Sequence, residues 1–245
     1  MSDPKSFYNH IMPGKPGFVD GYEQARWGAN PFLATQYQMA RDALQRLVLR
    51  HVRVASRILE VGPGPGTWTK VLLEENPAAQ YTLVDISSEM LSQARASLSL
   101  RKNIVFTESD FAAFTSNKYF DFFFSSRAIE YMPDKAVVAR KITEILSPGA
   151  YGAIVTKMPK PLFDRVKGRS VDGLHGGQIS PGLLRRHIKQ SGCVVISVRI
   201  ATATVPGFRS PSLNMLAYRI LRHIPLFFPF SLFAESYVAV FRKRA

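Results

Sequence analysis

Three glycines stand at alternate positions, Gly62, Gly64 and Gly66, in the stretch EVGPGPGTWT. They follow a short apolar run, RILEV, and precede a helical pattern. Glycine adopts backbone conformations that other residues avoid, and it lets a ligand approach the main chain closely. The helix that follows would offer unpaired N–H groups at its start. Together these features suit a nucleotide. A dinucleotide site spaces its glycines G-x-G-x-x-G. Here the spacing is G-x-G-x-G, and a tight strand-to-helix connection could use the same residues. Two acids narrow the choice. Asp85 ends the run YTLVD, placed to accept from both hydroxyls of a ribose, and Asp110 ends ESD with Phe111 beside it. Either acid alone would pass as a strand-end or helix-capping residue. Two of them, at the ends of successive strands beside a glycine loop, read as a ligand edge.

The elements that must position these residues are legible in the periodicity. ATQYQMARDALQRLVLRHV carries apolar residues at three- and four-residue spacing and reads as an amphipathic helix. From Arg57 onward, strands alternate with helices. RILEV, YTLVD, NIVFTESD, FDFFFSS and AYGAIVTKM read as strands, and SSEMLSQARASL and DKAVVARKITEIL as helices. This alternation means βαβ units and a parallel sheet, whose ligands sit at the carboxyl ends of the strands. Ser180 and Pro181 start a further helix and Gly192 stops it, before two more strands, CVVISVRIA and SYVAVFRK.

The ordered stretches EVGPGPGT, DISSEMLSQA, SDF and FDFFFSS closely resemble the motifs of class I S-adenosylmethionine-dependent methyltransferases, over roughly Arg57 to Met158. The resemblance implies an α/β fold. Its core is a Rossmann-like, seven-stranded, mostly parallel sheet with a reversed last strand. An N-terminal helical cap occupies 1–54, the cofactor-binding core 55–158, and a substrate-side half 159–245. It also implies S-adenosyl-L-methionine as cofactor. Glu60, Gly62, Gly64 and Gly66 would line the methionine and sugar. Asp85 would hold the ribose, with Ile86 and Met90 beside the adenine. Asp110 would accept from the adenine amino group while Phe111 covers the ring. Ser125 and Ser126 would present backbone to the methionine ammonium.

Methyl transfer from a sulfonium is an in-line displacement, so positioning dominates and a base is needed only for a protonated acceptor. Two residues are candidate bases: Glu130 in RAIEYMPD, where many members carry a nearby histidine, and His175 in the glycine-rich VDGLHGGQIS. Glu130 could equally bind substrate or pair with Arg127, and His175 could cap the next helix. The segment SSRA stands where amino-methylating nucleic-acid enzymes carry N/D-P-P-Y/F; an NPFL at 30–33 precedes the glycine loop and reads as a turn entering a helix. Cys193, the sole cysteine, reads as a buried small apolar residue and excludes an internal disulfide. No clustered ligand spacing points to a metal.

The net charge is +14, and its distribution is uneven: residues 160–245 carry +11 and residues 1–159 only +3. An anionic partner is the natural reading: a phosphate-bearing substrate, a membrane surface or RNA. Between the last two strands, residues 201–234 form an insertion. LNMLAYRILRHI places Leu213, Leu216, Ala217, Ile220, Leu221 and Ile224 on one face, followed by the aromatic PLFFPFSLF. It suits a helix in a membrane interface, a lid over a greasy pocket, or core packing. The aromatics Tyr8, Phe18, Tyr22 and Trp27 could close the opposite side, with Arg26 near the cofactor carboxylate. The expected acceptor is a hydroxyl or amine of an amphiphilic small molecule: a polar lipid, lipid-linked sugar, isoprenoid or polyketide. An RNA methyltransferase and a non-catalytic cofactor-binding scaffold are the alternatives. Residues 1–30 are polar and broken by prolines, and no run of about 18 apolar residues occurs. The expected location is the cytoplasm, with peripheral contact at the inner face of the membrane.

Overall fold

The apolar runs pair into one sheet. The computed structural model describes residues 3–11, 24–28, 30–159, 177–205, 208, 210–226 and 229–245. Among them, seven strands form: β1 (Arg57–Val61), β2 (Gln80–Asp85), β3 (Ile104–Glu108), β4 (Phe120–Ser126), β5 (Leu146–Lys157), β6 (Cys193–Ala203) and β7 (Ala234–Lys243). Their order is β3-β2-β1-β4-β5-β7-β6. The first five pair in parallel. β7 runs antiparallel between β5 and β6, which gives the Rossmann-like sheet its reversed last strand. The order turns back at β1, which has β2 on one side and β4 on the other. That turning point opens a crevice at the carboxyl edge, where open α/β sheets bind ligands.

Strands buried on both faces read as continuous apolar runs, and β4 shows why. Phe122 and Phe124 pack on one side with Leu44, Val52 and Leu72 from α2 (Pro31–Leu47), α3 (Leu49–Val52) and α4 (Thr67–Glu75). Phe123 packs on the other with Ile142, Leu184 and Ile188 from α6 (Lys135–Ile145) and α7 (Pro181–Gln190). Asn30 caps α2, its Oδ1 accepting from the Leu33 N–H at 3.0 Å, so NPFL is a helix entry. Ser180 caps α7 and Gly192, at φ +99°, ends it. A short N-terminal helix, α1 (Pro4–Ser6), continues as a wider turn through Ile11, and a second such turn spans Gln24–Gly28. The helix α5 (Ser88–Ser97) connects β2 to β3.

The apolar residues of the insertion helix, expected on one face, are divided between two. Its helix, α8 (Pro211–Leu221), buries Asn214, Tyr218 and Leu221 against α2 and β6, with Met39, Ile200, Ala203 and Ala234. Leu213, Leu216 and Ile220 instead face outward, exposed by 36%, 56% and 60%. Both stripes have helical spacing, so periodicity could not choose between them. Polar partners decided it. The Tyr218 hydroxyl reaches Asp42 at 2.7 Å, and Asn214 Oδ1 accepts from the Val205 N–H at 2.7 Å. A tyrosine buries a large ring while its hydroxyl finds a partner, which an outward placement would forfeit.

Candidate active site

The glycine loop is built from residues that no other side chain could replace cheaply. Gly62, Gly64 and Gly66 have φ of +71°, +56° and +90°, all in the left-handed region. An L side chain there costs about 1–2 kcal/mol. Gly62 has a second reason: a Cβ would lie 2.2 Å from the Ala128 Cβ, because the loop after β1 touches the loop after β4. Gly64 is different. A Cβ on it would meet nothing within 4 Å, so its backbone faces open space.

That space is a cavity of about 520 Å³ at the carboxyl edge of β1, β2 and β4. It falls within the range of small-molecule and cofactor sites. Gly62, Gly64, Asp85, Ile86, Met90, Asp110, Phe111 and Ser126 are all on its wall. Asp85 ties two walls together: its carboxylate accepts from Gly64 N–H at 3.1 Å and Ser87 N–H at 3.0 Å. Burial pushes the Asp85 carboxyl up, and these N–H groups, with that of Ile86, pull against the rise. Asp110 keeps an exposed carboxylate, one oxygen accepting from Ala112 N–H at 2.9 Å. Phe111 is held by the core, 5.9 Å from the Phe123 ring.

Glu60 and Gly66 are not on the wall. Glu60 lies behind the loop, 1% exposed, accepting from the Thr69 hydroxyl at 2.8 Å. Burial pushes its carboxyl up to about 8, against the Thr69 hydrogen bond and with the Asp85 charge adding to the rise. It is therefore mostly protonated at neutral pH. Gly66 instead starts α4, its carbonyl accepting from Lys70 N–H.

Glu130 is likewise behind the wall. Its fully buried carboxylate accepts from Arg127 Nε at 2.9 Å, Lys157 N–H at 3.3 Å and the Thr156 hydroxyl at 3.5 Å. In this position it anchors the loop after β4, and pairing with Arg127 is the role the geometry gives it. Arg127 is the one non-glycine residue at positive φ among the described residues, at +63°, with its N–H donated to Val155 O. Arg127 is one of the residues on the cavity wall. His175 lies outside the described residues. Ser125 is fully buried, and its Oγ is without a partner among the described residues.

The N-terminal turns close the opposite side. The Tyr8 and Tyr131 hydroxyls meet at 3.0 Å, and Asn9 Oδ1 accepts from Ser87 Oγ at 2.6 Å. Lys5 pairs with Glu108 at 2.8 Å. Trp27 packs against Trp68 and Tyr37, whose rings stack 5.2 Å apart. Arg26 sits over the Trp27 ring, on the wall. Phe18 and Tyr22 lie outside the described residues. At the end of β5, burial and the nearby charges of Arg127 and Arg26 hold the Lys157 ammonium below the usual lysine range. Trp68, Arg127, Tyr131 and Met132 were not picked out from sequence as wall residues. Trp68 had a usable signal, standing two residues after the last loop glycine. The others depend on how the loop after β4 folds back.

The residues fit S-adenosyl-L-methionine. Gly64 leaves a cradle that a Cβ would fill, Asp85 and Asp110 present acceptors at two strand ends, and Ile86, Met90 and Phe111 offer apolar surface between them. Among the described residues, no three His, Cys, Asp or Glu side chains lie together as metal ligands, and no helix is long and apolar enough to cross a membrane.

Residues 58–149 match a family model described as a methyltransferase domain. Trans-aconitate 2-methyltransferase of Rhodopseudomonas palustris is 30% identical over 138 residues, 56% of this chain and 52% of that protein. The biotin biosynthesis bifunctional protein BioCD of Bordetella avium is 31% identical over 138 residues, 56% of this chain and 28% of that protein. The matched region thus spans about half the length of such relatives, or less. Among solved structures, N-methyltransferase NodS of Bradyrhizobium japonicum, bound to S-adenosyl-L-homocysteine, shares the fold. Its TM-score is 0.60 at 13% identity, covering 96% of each chain. An S-adenosylmethionine-dependent methyltransferase of Mesorhizobium loti gives 0.58 at 22% identity, covering 82% of this chain and 98% of that one. The family model and the shared fold agree with the loop and its cavity: residues 58–149 form a methyltransferase domain, on a fold shared with S-adenosylmethionine-dependent methyltransferases.

Proposed function

We propose that this protein methylates a hydroxyl or amine of an amphiphilic small molecule, met in the cytoplasm or at the inner face of the membrane. The observation that carries the reading is the makeup of the wall beyond the glycine loop. Trp27, Trp68, Met132, Pro133, Val137 and Val138 line it, so an apolar body can be buried next to the polar nucleoside end. When bound, the cofactor supplies an activated methyl group on a sulfonium. The chain's own residues bind and orient. Asp85, itself held by the Gly64 N–H, fixes the ribose side, Asp110 and Phe111 the adenine, and the backbone at Ser125 and Ser126 the methionine end. Tyr8, Tyr131 and Trp27 shield the reacting centre from water, and alignment of the acceptor supplies the rate.

A second acceptor class, a carboxylate, is favoured by one observation. Arg26 and Arg127 are both on the wall, and Glu130 does not face it. A carboxylate is ionised at neutral pH and needs no base, and relatives include enzymes named for trans-aconitate. One experiment separates the readings. The protein is incubated with cofactor labelled in the transferable methyl and a cell extract, and the lipid, RNA, protein and aqueous fractions are counted. Alkali-stable label in the organic phase is the expected outcome. Alkali-labile label means an ester, hence a carboxylate acceptor. Label in RNA would overturn both and make the basic C-terminal third a phosphate track. No label despite cofactor binding would favour the scaffold.

A further inference from the structure

We propose that the outward face of α8 is a docking surface for an anionic lipid bilayer. Leu213, Leu216 and Ile220 form an apolar stripe at three- and four-residue spacing, turned away from the packed core. Phe208, just before the helix, and Leu232, in the turn behind it, are exposed by 58% and 40%. Apolar side chains grouped on one surface element mark an interaction site more often than scattered ones do. The helix is held rigidly from behind. Tyr218 and Arg222 both bond Asp42 on α2, and Arg46 bonds Asp42 and the Tyr218 hydroxyl. The stripe is therefore presented as a fixed face.

Charge selects the occupant. The insertion, residues 201–234, contains Arg209, Arg219 and Arg222 and not one Asp or Glu. Beside the stripe, Arg219 and His223 are exposed. A second copy of the chain would bring the same positive surface and be repelled by it. A purely apolar groove on another protein would take the leucines but give no use to so long an acid-free stretch. An anionic headgroup layer meets both features: apolar side chains enter the acyl boundary while basic ones stay among the phosphates. Eleven residues are too few to span a bilayer, so the helix would lie in the interface plane.

The test is flotation of the full chain with vesicles of phosphatidylcholine alone or mixed with phosphatidylglycerol, at low and high salt. It needs neither cofactor nor acceptor, so its result stands apart from the methyl-transfer reading. Wild type is expected to float with the anionic vesicles and not the neutral ones, less so at high salt. Leu216→Asp with Ile220→Asp is expected to cut the bound fraction at least tenfold. Leu100→Asp, an exposed site outside α8, should leave it unchanged. If the double Asp variant unfolds, Leu216→Gln with Ile220→Gln replaces it. Absence of wild-type flotation, or equal flotation of the double variant, overturns the proposal. So does a wild-type dimer in sedimentation that the double variant dissolves, since the stripe would then be a self-association face.

Discussion

Gly64 is the residue at which backbone conformation and ligand space meet. Its φ of +56° disfavours any side chain, and the direction a Cβ would take is open cavity. We predict that Gly64→Arg folds with a modest loss of stability, about 1–2 kcal/mol from the left-handed backbone. It should lose cofactor binding by a hundredfold or more, read by calorimetry with S-adenosyl-L-homocysteine. A Kd near wild type would remove Gly64 from the site. Glu60 makes a prediction about pH. Its carboxyl is raised by burial to about 8 in the folded chain, from 4.5 in an exposed one. Between those values the native state holds a proton that the unfolded state has released, so stability falls as pH rises through this window. The slope approaches about 1.4 kcal/mol per pH unit for one proton. It is absent below the window and flattens above it. Glu60→Gln should remove most of this decline and be the more stable protein at pH 8, read as Tm against pH without cofactor. Asp85, also raised by burial, would leave a residual slope of the same sign. A wild-type Tm flat from pH 5 to 8 would show that Glu60 is ionised.

At the scale of the element, the joint between α2 and α8 is the most exposed to test. Asp42 is the only carboxylate among the described residues hydrogen-bonded to Arg46, Arg222 and the Tyr218 hydroxyl. Those partners pull its carboxyl below the usual range against the effect of burial. Removing it leaves two half-buried guanidinium groups without their counter-charge. Asp42→Ala should cost about 1–3 kcal/mol, moderated by partial solvent access. Thermal unfolding should fall by about 2–12 °C for a chain of this size. If the loss is local to the joint, cofactor affinity stays within about twofold. This joint also marks the limit of what sequence could reveal. The sheet, the glycine loop and the acids at the ends of β2 and β3 each carry a local signature, because glycine conformations and strand-end acids are written in adjacent residues. The direction in which α8 faces is not local. Asp42 lies 176 residues from Tyr218, and no periodicity within 211–221 reports that contact. The orientation of Glu130 is hidden for a related reason: sequence placed it in the loop after β4 and offered Arg127 as a partner, but did not show that Arg127 and the β5 backbone turn its carboxylate away from the cavity.

For the whole molecule, ligand linkage joins these scales. The cavity is walled by the N-terminal turns, the loops after β1 and β4, and the ends of β2 and β3, so a ligand there bridges segments far apart in sequence. Binding that favours only the folded state adds about 2.7 kcal/mol at a hundredfold excess over Kd. For this chain length that corresponds to a rise in Tm of about 5–10 °C. We predict such a rise for wild type with S-adenosyl-L-homocysteine at saturation. Gly64→Arg should show almost none. Leu216→Asp with Ile220→Asp should show the full rise, because α8's outer face is no part of the cavity wall. Tyr8→Phe should show a reduced rise, since its hydroxyl contact with Tyr131 ties the N-terminal turn to the loop after β4. The pattern across the four proteins carries more weight than any single shift. An equal rise in all four would place the ligand away from this cavity. Loss of the rise in the α8 variant would mean that the outer face of α8 and the cavity act as one unit.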